Sequence, residues 1–259
     1  MPPMEKSYFF SIQPYWELEQ TGAPACSERI SVMRFHSERD GILSVPGNGQ
    51  LGIVLAEPER FAGYCFGVAD RRADIPLHGV KDGIFIRFSP GTFTALCGVS
   101  ADEIPAEGVE LSALFSAERI ARLRDAVASE NPEAAVFRCV EGWELTRGRS
   151  LCEQALAEEA VRLLWSSHGT MRMKELEQQT LYSARRMQEV VTRHVGIAPK
   201  QLGRQIRFQN ALALLIRLPA AACSHVEIAQ SLGYSDQAHY SREIKEFLGC
   251  SPCQFRKLR

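Results

Sequence analysis

EIAQSLGYSDQAHYSREIKEFLGCSPCQFRK, Glu227 to Lys257, is the stretch that decides how this chain folds. Just ahead of it, Ser224 and Glu227 have the spacing of a capping box, which opens a short helix through VEIAQSL. Gly233 stands where a left-handed helix end belongs. After Tyr234, either Ser235 or Asp236 can cap a new helix that runs to about Leu248. Within it Tyr240, Ile244 and Phe247 recur at spacings of four and three, so they share one face and should point to a core. Gln237, Ala238, His239, Ser241, Arg242 and Lys245 are left outward or flanking. Two short helices joined by a tight turn, the second polar on its outward N-terminal part, are the parts of a helix-turn-helix that reads a major groove. Gln offers a bidentate pair to adenine and Arg offers one to guanine.

The end of this stretch also occurs earlier. GIAPKQL, Gly196 to Leu202, returns as GCSPCQF, Gly249 to Phe255, 53 residues further on. Each copy follows a short helical pattern with a capping residue at its start, Ser183 in the first. Between the two units lies GIAPKQLGRQIRFQNALALL, Gly196 to Leu215. Pro199 suits the first turn of a helix and Pro219 should end it. A helix of that length spans roughly 30 Å at 1.5 Å per residue. One turn of DNA is ~34–36 Å, so such a rod could set two recognition helices into successive grooves.

Charge points the same way. Residues 169–259 hold 14 Lys+Arg against 7 Asp+Glu, whereas residues 1–168 hold 16 against 24. The net charge of −1 therefore conceals a basic end on an acidic body. That distribution fits a nucleic-acid module joined to something else.

These residues together resemble the C-terminal signature of the AraC/XylS family of transcription regulators. Ile228-Ala229, Leu232-Gly233-Tyr234, Gln237, Tyr240, Ser241-Arg242, Gly249, Ser251-Pro252 and Phe255-Arg256 stand where that pattern places them. The central helix is similar to the family's linker, including Arg207 and Ala211. The resemblance implies that Arg185, Arg186 and Gln188 of SARRMQEVVTRHVG are outward residues that contact DNA, as are Gln237, Ala238, His239, Ser241, Arg242 and Lys245. Lys200, Arg204 and Arg207 are candidates for phosphate contact or for packing. The first unit departs from the pattern. Glu177 replaces a small residue, Leu181 the turn glycine, Glu189 a frequent Arg, and Val191 an aromatic. The second unit is therefore expected to contribute more affinity.

The rest of the chain divides by pattern. To about Gly91 it reads as β-rich, with short apolar runs separated by turn signals at Val45–Gln50 and Lys81–Gly83. From Thr92 to Ser167 it reads as helical. Leu114, Ile120, Leu123 and Val127 mark one face there, and Leu151, Leu156, Val161 and Leu164 mark another. GIFIRFSPGTFTALCGVSADEI, Gly83 to Ile104, resembles a sensor-type domain found ahead of such modules. That resemblance implies a small β-barrel or cupin-like fold followed by helices. The expected fold class is α+β, with an all-α C-terminal domain of two helix-turn-helix units. The expected domains are residues 1–150, a connecting helix at 151–168 that could also serve dimerisation, and the DNA-binding domain at 169–259. A small-molecule effector among Tyr15, Trp16, Phe66 and Arg87, and a homodimer, are both compatible with this layout.

Several other classes fit less well. No apolar run reaches the ~18–20 residues that span a bilayer. MPPMEKSYFFSIQPYW lacks the apolar core of a signal peptide, so a cytoplasmic protein is expected. Cys26, Cys65, Cys97, Cys139, Cys152, Cys223, Cys250 and Cys253 lie mostly in apolar surroundings, as reduced, buried thiols do. None forms the clustered set that a zinc-held nucleophile needs. Cys250-x-x-Cys253 has redox spacing but lacks a βαβ context. His36 and His78 stand alone, so no metal and no cofactor are expected. The competing reading is a ligand-binding or interaction protein with a partly degenerate DNA module.

Overall fold

The computed structural model describes residues 19–20, 25–27, 29–36, 42–45, 47, 50–56, 61–76, 81–143, 151–217 and 224–257. Its N-terminal half is built on an antiparallel sheet. The strands are β1 (Glu19–Gln20), β2 (Ala25–Cys26), β3 (Ile30–His36), β4 (Ile42–Val45), β5 (Leu51–Ala56), β6 (Gly63–Phe66), β7 (Ala73–Pro76), β8 (Asp82–Phe88) and β9 (Val109–Glu110). The main sheet runs in the order β1-β3-β8-β5-β6-β9, with β2 also paired to β3, while β4 and β7 pair separately.

Strand alternation sorts the side chains onto two covered faces. Ile30, Val32, Ile53, Leu55, Ile84, Ile86 and Phe88 point to one core. Met33, Phe35, Val54, Phe66 and Phe85 point to the other. Burial on both sides explains why β5 and β8 are almost wholly apolar. Arg87 is the exception. It is buried on the Met33 face, where its Nη2 donates to Met33 Sδ at 3.6 Å. Of the residues suggested as an effector site, Phe66 and Arg87 thus lie on this second face, and Tyr15 and Trp16 fall outside the described residues.

The first core is closed by three helices, α1 (Thr92–Cys97), α2 (Ala117–Val127) and α3 (Pro132–Glu141). Ser116 caps α2 through the Arg119 amide, and Asn131 caps α3 through the Ala134 amide. Ile120 packs against this core, and Leu123 and Val127 lie within it.

The remaining helices are α4 (Leu151–Ser166), α5 (Met173–Thr180), α6 (Ala184–Val195), α7 (Pro199–Arg217), α8 (His225–Ser231), α9 (Gln237–Leu248) and α10 (Pro252–Lys257). They form two cores. Leu156, Ala157, Ala160, Leu163 and Leu164 of α4 pack with Leu176, Met187, Val190, Val191, Leu202 and Ile206. Phe208, Leu212 and Leu215 of α7 pack with Ile228, Tyr240, Ile244, Phe247 and Phe255. Helix α7 is thus shared between both. It is approached closely at Gly203 by the backbone of Gly169, where any Cβ would strike the Gly203 carbonyl.

The two halves meet through backbone carbonyls. Gln205 donates to Ala69 O at 2.8 Å and Gln201 to Asp70 O at 2.7 Å. The Arg72 amide donates to Glu246 O and the Gly47 amide to Phe247 O.

Four sequence expectations need correction. Asp82 and Gly83 do not form a turn. They begin β8, because the pairings His36 with Asp82 and Phe35 with Gly83 extend the ladder to that point. The helical stretch from Thr92 contains a strand, β9, which covers the edge of β6. Leu151 is 77% exposed and does not belong to the α4 stripe, whose buried face begins at Leu156. The described thiols are not mostly buried. Cys65 and Cys97 are buried, Cys139 and Cys250 are half-buried, and Cys152 and Cys253 are exposed. Pro219, His78 and, in the Val45–Gln50 turn, Pro46, Asn48 and Gly49 lie outside the described residues.

Leu181 has φ +62, in the left-handed region, and its side chain is 89% exposed. An L-residue with a Cβ is strained there by about 1–2 kcal/mol, and this side chain recovers little through burial. Leu181→Gly is expected to stabilise the protein by about 1 kcal/mol, net of the entropy glycine adds to the unfolded chain. Urea denaturation of the two proteins measures this, and a lower midpoint for the variant would show that the leucine side chain supplies more than the strain costs.

Candidate nucleic-acid interface

The two units superpose in sequence at an offset of 53. Helices α6 and α9 are both 12 residues long. Each starts on a side-chain cap. Ser183 Oγ accepts from the Arg186 amide, and Asp236 Oδ1 accepts from the His239 amide. Each stops at a left-handed glycine, Gly196 with φ +93 and Gly249 with φ +83. The His239 amide above all holds the Asp236 carboxyl below its ordinary range, so the cap is a charge-assisted one at neutral pH.

The supporting helices differ more. α8 opens with the reciprocal capping box of Ser224 and Glu227. It is followed by Gly233 at φ +72. In the first unit Leu181 takes the left-handed turn in place of a glycine, and only Tyr182 separates it from the cap at Ser183. Glu177 bridges this turn, because its Oε1 accepts from the Ala184 amide at 2.5 Å. The unusual acid is therefore a second cap on α6, satisfying one of the free amides of its first turn.

The inward faces match position by position. Met187, Val191, His194 and Val195 are buried in α6, as Tyr240, Ile244, Phe247 and Leu248 are in α9. One pair breaks the pattern. Val190 is apolar, whereas its counterpart Glu243 is a carboxylate only 1% exposed. Glu243 accepts from Arg204 Nε at 2.9 Å and from Arg207 Nη2 at 3.2 Å. The same guanidinium groups lie over aromatic rings, Arg204 over Phe247 at 5.2 Å and Arg207 over Tyr234 at 4.7 Å. Arg204 also bonds Glu246 at 2.7 Å. Arg204 and Arg207 are thus engaged in fastening α9 to α7, while Lys200 is exposed.

On the outward faces the units part company. In α9, Gln237, Ala238, Arg242 and Lys245 are exposed and Ser241 is half-buried. His239 is half-buried, with Nδ1 3.2 Å from Ser235 Oγ and its ring edge-on to Tyr234. In α6, Arg185 and Gln188 are exposed. Arg186 is not free, because its Nη2 bonds Glu153 of α4 at 2.6 Å and its Nη1 lies 3.2 Å from Glu189. Arg193 bonds the same two acids, at 2.9 and 3.0 Å. Burial pushes the Glu153 carboxyl up, but its hydrogen bonds to Arg186 and Arg193 outweigh this and hold it below the ordinary carboxylate range. Glu189 occupies the position that Arg242 fills in the second unit, so an acid stands where the other unit presents a cation.

The sequence reading missed Glu153, Arg193, Glu243 and Glu246. The pairs Arg186–Glu189 and Glu189–Arg193, three and four residues apart, are visible as helix spacings. Glu243 is visible as an acid inside an apolar stripe. Glu153 lies 33 and 40 residues from its partners and carries no local signal.

Comparison with known proteins gives the class. A model of the helix-turn-helix domain matches residues 176–258. YkgA of Escherichia coli, named as an HTH-type transcriptional regulator, is 28% identical over 113 residues, covering 44% of this chain and 46% of that protein. An uncharacterized HTH-type transcriptional regulator of Haemophilus influenzae is 24% identical over 108 residues, covering 42% of this chain and 35% of that one. The chain thus spans less than half the length of the curated relatives it matches. Among solved structures, the C-terminal domain of AraT, a response regulator from Geobacillus stearothermophilus, is similar at 25% identity and TM-score 0.35, covering 40% of this chain and 85% of that one. ToxT from Vibrio cholerae is similar at 11% identity and TM-score 0.45, covering 89% and 98%. Residues 176–258 of this chain thus carry a helix-turn-helix domain.

Removing the buried acid should be costly. Glu243→Ala leaves the part-buried Arg207 without its anion and Arg204 with Glu246 alone, and an expected loss of about 3 kcal/mol follows from breaking a buried pair. Glu246→Ala, at a 40% exposed side chain, should cost under ~1 kcal/mol. Chemical denaturation of both variants checks this, and equal effects would mean that Glu243 contributes no more than a surface pair.

Proposed function

We propose that this protein is a DNA-binding transcription regulator that lays α6 and α9 into two successive major grooves. The observation that carries this reading is the common frame of the two helices, equal in length, capped alike, and joined by α7. That helix has 19 residues, or roughly 28 Å of axis, comparable with the ~34–36 Å of one DNA turn. Arg185, Gln188, Gln237, Ala238, Ser241, Arg242 and Lys245 present donors, a methyl and charge on the outward faces. Arg186 and His239 join them once their intramolecular partners yield. Lys200 is placed for phosphate, and Arg204 and Arg207 act by packing.

The N-terminal half is proposed to receive a signal, with a small molecule as effector. A cleft of about 360 Å³ between the β8–α1 turn and α4, lined by Arg29, Pro90, Gly91, Val161 and Trp165, lies where that half meets the helix leading into the DNA module. The backbone contacts at Ala69–Arg72 give a route from the sheet to α7 and α9. The proposed layout is residues 1–150, 151–168 and 169–259, with homodimer formation through 151–168 as part of it. The function is one of binding rather than catalysis, in the cytoplasm; no described helix is long and apolar enough to cross a membrane.

A second reading, a ligand-binding or interaction protein with a degenerate DNA module, draws on the acid-centred face of α6. Selection from a randomised duplex library, followed by titration of the best site, separates the two. The regulator reading expects a selected sequence and a log–log salt slope steepened by about 0.9 for each phosphate neutralised. Arg242→Ala should then weaken the selected site by ~1–3 kcal/mol and Gln188→Ala by less. No enrichment and no binding at low salt would leave the second reading standing.

A further inference from the structure

The acid that holds Arg186 and Arg193 does not belong to the helix-turn-helix. It comes from the first turn of α4. Glu153 faces α6 along one stripe, where Arg186, Glu189 and Arg193 succeed each other at three and four residues. Its side chain is 17% exposed, those of the two arginines about twice that. Among the described groups facing this carboxylate, His194 Nε2 stands 4.0 Å away. The two acids, Glu153 and Glu189, balance the two arginines, and among the described residues no acid is seen bonded to Arg185. Among the described residues no such arrangement attends α9. There Arg242 is exposed, and the acid corresponding to Arg193, Glu246, is turned to Arg204 of the linker.

We propose that Glu153 is an intramolecular competitor for DNA phosphate that sets how strongly the first recognition helix binds. The proposal rests on the DNA-binding reading above. A carboxylate making two charge-assisted bonds of 2.6 and 2.9 Å offers the arginines what a phosphate would offer, at high effective concentration. Arg186 and Arg193 reach DNA only when that carboxylate is displaced. Because Glu153 sits on α4, a shift of α4 relative to α6 changes the charge that the first unit presents. The weakness of the first unit is in this view imposed from outside its recognition helix, by one residue of the preceding helix.

The test uses the full chain and a fluorescent 40-base-pair duplex of arbitrary sequence, titrated by anisotropy at several salt concentrations. Glu153→Gln keeps the size of the side chain and removes its charge. It should tighten binding about tenfold at 0.1 M salt and steepen the log–log salt slope by about 1–2, since each arginine released to a phosphate adds ~0.9. Arg186→Gln alone should weaken binding by less than about twofold, and by about fivefold or more in the Glu153→Gln background, a non-additivity that independent contacts lack. An unchanged or weaker affinity for Glu153→Gln, with the wild type binding, overturns the proposal while leaving the DNA reading intact. Absence of binding by every protein removes the DNA reading and this proposal with it. Should Glu153→Gln fail to fold, Arg186→Gln decides alone, since a tenfold loss in the otherwise wild-type chain would mean that Arg186 already reaches DNA.

Discussion

A carboxylate buried against two guanidinium groups fixes the geometry on which the DNA module depends. Glu243 has given up nearly all its water, and Arg204 and Arg207 reach it from successive turns of α7. Apolar contact between Phe208 and Phe247 holds the helices together, but such contact is nearly indifferent to small rotations. A carboxylate bonded from two points is not. It sets the rotation of α9 about its own axis, and with it the direction in which Arg242 and Lys245 point. The stacking of both guanidinium groups on Phe247 and Tyr234 spreads the same constraint over the turn that precedes α9.

The first unit solves the same problem differently. Val190 replaces the acid, so α6 meets α7 through apolar packing and finds its charged anchor on α4 instead. The two halves of the module thus share a backbone frame and differ in what holds them. One is tied inward to the rod that joins the units. The other is tied outward to the helix that arrives from the N-terminal half. A change in that half reaches α6 through α4 and reaches α9 through the Gly47 and Arg72 amides.

Local chemistry made much of this legible in the sequence. The caps at Ser183, Asp236 and Ser224, the stops at Gly196, Gly233 and Gly249, and the stripe of Tyr240, Ile244 and Phe247 all act within a few residues, so pattern alone locates them. The split into a β-rich part and helices was equally legible from short apolar runs and their spacing. What escaped was non-local. Glu153 meets partners in a different helix, and Glu177 caps across a turn. β9 is two residues that become a strand only because β6 offers an edge. Lys81–Gly83 has the composition of a turn, yet cross-strand pairing draws Asp82 and Gly83 into β8. Leu151 has the right residue type for the α4 face but the wrong angular position, and tertiary packing decides between those two.

The equal length and equal caps of α6 and α9 also make the outward residues portable. Residues 184–195 and 237–248 occupy one frame, so their exposed positions can be exchanged while Val190 and Glu243 stay in their own sockets. Such an exchange would not disturb the apolar cores or the buried ion pair. It would reverse the order in which an acid-centred and a cation-centred face occur along the chain. On the proposed DNA-binding reading, that order decides which end of the footprint each face occupies, so the exchanged chain would prefer a site whose two parts stand in the reverse order.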